Sequence, residues 1–117
     1  EFVLTDIFDE KINKKADMLI SNPPYIAKEE VSGLMKEVKD YEPLVALTDN
    51  NDGLKFYRRF AEIIPRILKE NGTAIMEVGI EDHPDRVEEI FRGCGFNDIR
   101  TELDLNKDKR ALVIKNK

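Results

Sequence analysis

The residues best suited to chemistry form the tetrad Asn22-Pro23-Pro24-Tyr25, which follows an apolar run, Met18-Leu19-Ile20, after a single serine. Two successive prolines lack N–H donors and resist both helix and central strand, so a strand must end here with the chain stiff and extended. A planar NH2 group can then donate to the Asn22 side-chain oxygen and to a proline carbonyl while its flat face lies on Tyr25. The tetrad therefore indicates a site that presents a planar nitrogen, and the alternative is an ordinary proline-rich turn after a buried strand.

This tetrad resembles the substrate-amine motif of S-adenosylmethionine-dependent N-methyltransferases, which modify amino groups of adenine or cytosine or the side-chain amide of glutamine. Further motifs narrow the likeness and follow in chain order, namely Tyr41 to Leu47, Asp52 to Arg58, Glu77-Val78-Gly79, Asp104-Leu105 and Lys109-Arg110. This succession resembles the HemK-type protein-(glutamine-N5) methyltransferases that act on peptide chain release factors. The likeness covers nearly all of the 117 residues.

The resemblance implies roles for the residues of the tetrad and one beyond it. Asn22, Pro23 and Tyr25 would be the catalytic residues, and the same three together with Pro24 and Glu42 would bind the substrate glutamine. The reaction would be methyl transfer to the side-chain amide nitrogen of that glutamine. For Glu42 the plainer interpretation is an exposed loop carboxylate.

The resemblance also implies that Asp6, Ile7 and Asn22 contact S-adenosylmethionine, although Asp6 fits a solvated strand end equally well. No metal site is predicted. A complete enzyme of this kind carries a Gly-rich loop after its first strand and an acidic residue after the second. The chain has neither, since its six glycines are scattered and the pair Gly93-Cys94-Gly95 ends a helix. We therefore expect residues 1–117 to be the C-terminal part of a methyltransferase catalytic domain, inactive in isolation.

Composition favours a protein partner over nucleic acid or membrane. The net charge is −5 and no extended basic stripe is present to neutralise phosphates. No apolar run approaches the roughly 20 residues that span a bilayer. A single cysteine, Cys94, cannot form an internal disulfide and is predicted to lie in the core. These features predict a cytoplasmic protein with a protein partner, and the resemblance implies that this partner is a peptide chain release factor.

Hydrophobic periodicity predicts an α/β fold. The resemblance implies a partial class I methyltransferase fold, whose Rossmann-like sheet ends in an antiparallel hairpin. The first strands of that fold and its Gly-rich loop are missing. The expected strands lie in segments of apolar or alternating character, over residues 2–5, 16–20, 73–78, 96–105 and 109–115. The expected helices are amphipathic, over residues 28–39, 53–70 and 84–93. Glu77 closes a central strand, where it fits a site wall or a plain strand end.

The implied strand order of the complete fold is 3-2-1-4-5-7-6, and this chain would begin with strand three. With strands one and two missing, the strand before the tetrad has an open edge that invites pairing. We expect residues 1–5 to fill that vacant slot or to pair across a dimer.

Two further functions remain open on the sequence. An adenine-N6 methyltransferase of DNA or RNA would flip its base onto the same tetrad. The acidic balance and the Glu42-Pro43 to Leu54 stretch argue against it. The chain could instead be a catalytically inert fragment or interaction module, because it lacks the cofactor loop.

Overall fold

The computed structural model describes residues 1–8, 12, 14–34 and 41–116 of the chain. These residues contain four strands, namely β1 (Ala16–Ser21), β2 (Leu68–Glu77), β3 (Ile99–Leu103) and β4 (Lys109–Lys115). They also contain two α-helices, α1 (Lys55–Ile67) and α2 (His83–Gly93), and two short 3-10 helices, Lys28–Gly33 and Leu44–Ala46. Within the described ranges no helix is long and apolar enough to cross a membrane.

The strands form one sheet in the order β1-β2-β4-β3. β1 and β2 are parallel, as expected for strands joined through a helix, whereas β4 is antiparallel to both of its neighbours. This order corresponds to 4-5-7-6 in the series implied by the resemblance, so the predicted order and the C-terminal antiparallel hairpin are confirmed for these strands.

Both α-helices pack on one face of the sheet and form a single core with it. Alternate residues of the central strands point to that face, because successive side chains of a strand alternate between the two sides. Buried members from the strands are Ala74, Met76, Leu112 and Ile114. Buried members from the helices include Tyr57, Phe60, Ile64, Val87 and Phe91. The three- and four-residue spacing of the α1 members explains why this segment is an amphipathic helix.

The opposite face of the sheet is largely open. Met18 and Ile20 of β1 are 54% and 72% exposed, and their register partners on β2 are Thr73 and Ile75. β1 was predicted to be a buried strand, and this is wrong for most of its length because only the core-facing Leu19 and Ser21 are partly covered. We name the surface formed by Met18, Ile20, Ile75 and Val113 the open face.

The amino-terminal segment departs from its prediction. Residues 1–6 form no strand, and the side chains of Phe2 and Leu4 are fully exposed. The expectation that residues 1–5 fill the slot beside β1 is therefore wrong for the single chain. An extended segment forms a strand only when a partner edge accepts its hydrogen bonds, and residues 1–6 pair with no strand of the described sheet.

Four further predictions differ from the structure. The helix expected to reach residue 70 ends at Ile67, because Leu68 turns to an extended conformation and pairs with Ala16. The last hairpin's first strand spans residues 99–103 and not 96–105. Cys94 was predicted to be buried, but it is exposed where α2 ends. Of the helix expected over residues 28–39, a 3-10 helix occupies Lys28–Gly33, and residues 35–39 lie outside the described residues.

Candidate functional site

The tetrad begins where β1 ends, at the carboxyl edge of the parallel strand pair. Ser21 is in register with Met76 of β2, so Asn22 and Glu77 leave adjacent strands at the same level. Ligands of open α/β sheets collect at this edge, because the loops that follow the strands diverge there. The diproline corner thus holds the tetrad above the end of the sheet.

One cavity of about 670 Å³ lies at this edge, and we name it the tetrad cavity. Its wall contains Ile20, Ser21, Asn22, Tyr25, Ile75, Glu77, Arg110 and Ala111. Asn22 is exposed and Tyr25 is half-buried, and both residues line this cavity. A planar amide entering the tetrad cavity would meet a carboxamide oxygen, an aromatic ring and a carboxylate.

Glu77 and Arg110 set the electrostatics around Tyr25. Burial raises the pKa of the Tyr25 phenol above its ordinary value, and the neighbouring Glu77 carboxylate raises it further by its charge and by a hydrogen bond. The Arg110 guanidinium opposes this and lowers the same pKa in part. Arg110 is itself paired with Asp104 through a 3.1 Å contact from Nε to Oδ2. Tyr25 is therefore a neutral phenol at physiological pH.

The loops around Tyr25 approach it closely enough to require glycine. A Cβ on Gly53 would lie 2.5 Å from the Tyr25 carbonyl oxygen, and Gly53 has a φ of +83°. A Cβ on Gly79 would lie 3.1 Å from the Tyr25 ring and equally close to the ring of His83. The glycines of the Asp-Gly-Leu and Glu-Val-Gly motifs thus let two loops close on the tetrad.

A second set of contacts ties the tetrad to the loop before α1. The Ile26 N–H donates to the Leu47 carbonyl at 3.1 Å, and Ile26 forms an isolated parallel bridge with Thr48. Asp49 is buried and accepts from the backbone N–H groups of Asn51 and Lys55 at 2.8 and 3.0 Å. Reasoning from the sequence did not identify Asp49.

The structure brings only part of the predicted site together. Asn22 and Tyr25 share the tetrad cavity, whereas Glu42 is exposed and lines neither described cavity. Pro23 is buried and Pro24 half-buried, so these two supply the rigid corner. The substrate role of Pro24 and Glu42 stays a prediction.

The two other predicted cofactor residues lie elsewhere. The Asp6 carboxylate accepts a hydrogen bond from the Phe8 N–H at 2.9 Å, which is a local turn. Ile7 packs against the core, and its carbonyl accepts from Arg59 Nε at 2.7 Å. Neither residue lines the tetrad cavity, so their contact with a cofactor stays a prediction.

A neighbouring cavity of about 570 Å³ lies on the other side of Tyr25. Most of its charged wall residues are carboxylates, namely Glu29, Glu30, Asp52, Glu81 and Asp82, with Arg86 the cation among them. His83 also lines this cavity, and it is the residue to which sequence reasoning assigned no role. The sequence did offer one signal for His83: it stands at the start of α2, four residues after Gly79, close enough along the chain for the two residues to contact each other.

Comparison with known proteins relates the chain to one group of enzymes, although no family model matches it. It is 42% identical over 113 residues to the release factor glutamine methyltransferase of Bacillus subtilis, and 38% identical over 110 residues to that of Clostridium acetobutylicum. Each alignment takes in 92% of this chain and 38% of the relative, so the chain spans well under half the length of these proteins. The release factor glutamine methyltransferase of Caulobacter vibrioides is 42% identical over 86% of this chain and 35% of its own length. The resemblance predicted from the sequence is confirmed.

Solved structures agree on the fold. A methyltransferase from Pyrococcus furiosus superimposes with a TM-score of 0.59 at 13% identity, covering 89% of this chain and 42% of that one. A possible exported protein from Bordetella parapertussis gives a TM-score of 0.56 at 16% identity, covering 96% and 42%. Identities this low indicate a common fold alone. The predicted partial class I methyltransferase fold is confirmed.

Proposed function

We propose, from the similarity to release factor glutamine methyltransferases, that this chain is the substrate-amide part of an S-adenosylmethionine-dependent protein-glutamine N-methyltransferase. The acceptor would be a glutamine side chain of a peptide chain release factor, and the location would be cytoplasmic. One observation carries the proposal: Asn22 and Tyr25 line the same cavity at the carboxyl edge of the sheet. That arrangement suits a planar NH2 group. Few other ligand groups would need both a carboxamide and an aromatic ring.

The mechanism follows from the weakness of an amide nitrogen as a nucleophile, since its lone pair is delocalised into the carbonyl. Asn22 Oδ1 and the Pro23 carbonyl would accept the two N–H hydrogens and hold the nitrogen in one orientation. Tyr25 would fix the plane of the amide. As positive charge grows on nitrogen, these acceptors and the nearby Glu77 carboxylate would stabilise it.

The three residues predicted to contact S-adenosylmethionine, which supplies the methyl group in enzymes of this kind, do not meet in the tetrad cavity. Asn22 lines the tetrad cavity, but Asp6 is engaged in a local turn and Ile7 in the core. We therefore attribute to this chain the binding and orientation of the substrate amide. Calorimetry of the isolated chain should show no micromolar binding of S-adenosylmethionine, and binding at that strength would overturn this division of roles.

The decisive experiment measures methyl transfer from radiolabelled S-adenosylmethionine by the protein at full length. Asn22→Ala should lower kcat/KM by about 100-fold or more, because it removes an acceptor aimed at the reacting nitrogen. Asn97→Ala, at an exposed position between α2 and β3, is the matched control and should leave the rate unchanged. Equal rates for Asn22→Ala and the wild type would refute the assignment.

The competing function is an adenine-N6 methyltransferase of DNA or RNA. Against it stand the net charge of −5 and the carboxylates that line the cavity beside Tyr25. Both would repel a phosphate backbone. Methylation assays with release factor and with duplex DNA in parallel distinguish the two, and we expect label in release factor alone.

The exposed sheet edge supports a second proposal, that two copies of the chain pair through β1. Among the described residues this strand has one neighbour, β2, and it carries apolar side chains beside its other edge. Sedimentation equilibrium should detect dimers that Ile20→Lys abolishes, since edge charges oppose strand pairing. A concentration-independent monomer would refute this pairing.

A further inference from the structure

We infer that His83 is a positioning residue that holds Tyr25 in the tetrad cavity, acting as a neutral imidazole in one fixed tautomer. The inference rests on the proposed function in one respect, namely that Tyr25 contacts the substrate amide. The geometry of His83 itself does not depend on that function. It involves four elements: the tetrad, the loop before α1, the end of β2 and the start of α2.

The hydrogen bonds of the ring define its tautomer. The Gly79 N–H donates to His83 Nδ1 at 2.9 Å, and His83 Nε2 lies 2.8 Å from the Gly53 carbonyl oxygen. A backbone N–H can only donate and a carbonyl can only accept, so Nδ1 is unprotonated and Nε2 carries the hydrogen. A proton added to Nδ1 would face the Gly79 N–H donor and break that bond.

The same ring lies between two tyrosines. Its centroid is 5.5 Å from that of Tyr25, with the planes inclined by 51°, and 5.3 Å from that of Tyr57 in an edge-to-face contact at 74°. Tyr57 is buried, and its hydroxyl donates to the Glu77 carbonyl at 2.6 Å. The hydrogen bond thus fixes Tyr57, a residue of α1, to the end of β2. His83 packs between this fixed ring and the ring of Tyr25.

The neighbouring glycines make the arrangement tight. A Cβ on Gly79 would lie 3.1 Å from both the His83 and the Tyr25 rings, and one on Gly53 would meet the Tyr25 carbonyl at 2.5 Å. His83 therefore bonds to the two loops that press on Tyr25, as well as touching its ring. Loss of the imidazole would leave a backbone donor and a backbone acceptor without this partner and open one side of Tyr25.

The kinetic arm of the test uses the protein at full length. His83→Ala should lower kcat for methyl transfer about 10- to 100-fold with a smaller change in KM, because small misplacements of an orienting group cost rate. His83→Gln, whose amide offers one acceptor and one donor, should recover most of the loss. The matched control is Asp85→Asn in the same first turn of α2, whose carboxylate pairs with Lys109 away from Tyr25. It should leave kcat unchanged.

The spectroscopic arm is independent of activity and uses the chain itself. His83 is the single histidine, so a long-range ¹H–¹⁵N spectrum reports its ring without ambiguity. We expect Nδ1 to have the shift of an unprotonated nitrogen at neutral pH, and the Tyr25 ring signals to move in His83→Ala but not in Asp85→Asn.

The outcomes separate the two proposals. An Nδ1–H tautomer, or Tyr25 signals indifferent to His83→Ala, would overturn the role of His83 even if the full-length protein methylates glutamine. A kcat that falls equally in His83→Ala, His83→Gln and Asp85→Asn would overturn it as well, since that pattern reports general damage to α2. A wild-type protein without methyl transfer would refute the proposed function, while the spectra would still decide the position of Tyr25.

Discussion

The tetrad and the open face of β1, the strand that leads into it, differ sharply in how their side chains are held. At the tetrad, Tyr25 is enclosed by His83 and by two loops whose glycines, Gly53 and Gly79, leave no room for a larger side chain. On the open face, Met18 and Ile20 of β1 extend apolar side chains toward solvent. Strands of parallel sheets are normally buried on both sides. The contrast teaches that contacts within this chain fix the position of Tyr25, whereas the apolar side chains on the open face of β1 have no covering partner among the described residues.

The largest expected effect comes from truncating a side chain on the covered face. Leu112→Ala should lower the free energy of unfolding by about 3 kcal/mol, because Leu112 is 1% exposed and the substitution leaves a cavity in the core. Ile20→Ala on the open face should change it by less than about 0.5 kcal/mol, since Ile20 is 72% exposed. Urea denaturation measures both. Equal losses would mean that the open face is covered in solution, for example by a second copy.

A smaller loss in the free energy of unfolding is expected when a methyl group is added at Gly53, beside the tetrad. Gly53→Ala should destabilise the fold by about 2 kcal/mol, because the residue has a φ of +83° and the new methyl group would clash with the Tyr25 carbonyl. Gly93→Ala is the matched control in α2, where a methyl group meets nothing within 4 Å. It should be neutral or stabilise by up to about 1 kcal/mol. Equal stability of Gly53→Ala and Gly93→Ala would contradict the close approach of the Gly53 loop to Tyr25.

The smallest effect concerns Tyr57, whose ring packs on His83 beside the tetrad, and the way the free energy of unfolding depends on pH. Burial raises the pKa of the Tyr57 phenol far above its ordinary value of 10.0. The unfolded chain therefore loses this proton first as pH rises through 10, and the free energy of unfolding should fall by about 1.4 kcal/mol per pH unit. Below pH 10 that contribution is fully present. Tyr57→Phe removes the titrating group and should give a shallower alkaline slope.

Measurements at neutral pH serve as the control for this experiment. At pH 7, Tyr57→Phe should cost only about 1 kcal/mol, since it removes one hydrogen bond to the Glu77 carbonyl and keeps the ring. Thermal or urea unfolding between pH 7 and pH 11.5 measures both quantities. Parallel curves for the variant and the wild type across that range would contradict the burial of the Tyr57 hydroxyl.

Patterns of local origin were predicted well. The three- and four-residue spacing in α1 and the paired strands of the last hairpin follow from side-chain periodicity, which depends on neighbours in the sequence. The tetrad's position at a strand end follows from the backbone limits of proline. The end of α1 was predicted three residues too late, because Leu68 is drawn out of the helix by pairing with Ala16, a contact across 52 positions.

The residues around Tyr25 illustrate the limit of such reasoning. Asn22 and Tyr25 could be identified as a candidate site from their types and spacing alone, since the diproline restricts the backbone between them. His83 and Arg110 could not, because they reach Tyr25 from α2 and β4 only once the sheet has formed. The prediction of a strand over residues 2–5 was wrong for the converse reason. The apolar pattern was present, but within the described chain this segment pairs with no sheet edge.

Amino-acid order was thus sufficient for the strand and helix types, the family resemblance and the rigid corner of the tetrad, since each rests on backbone limits or nearest neighbours. Folding in three dimensions was needed to bring Glu77, His83 and the two glycine loops around Tyr25 and to leave one face of the sheet open. The contacts around Tyr25 join residues 28 to 58 positions apart along the chain, and no short pattern encodes their pairing.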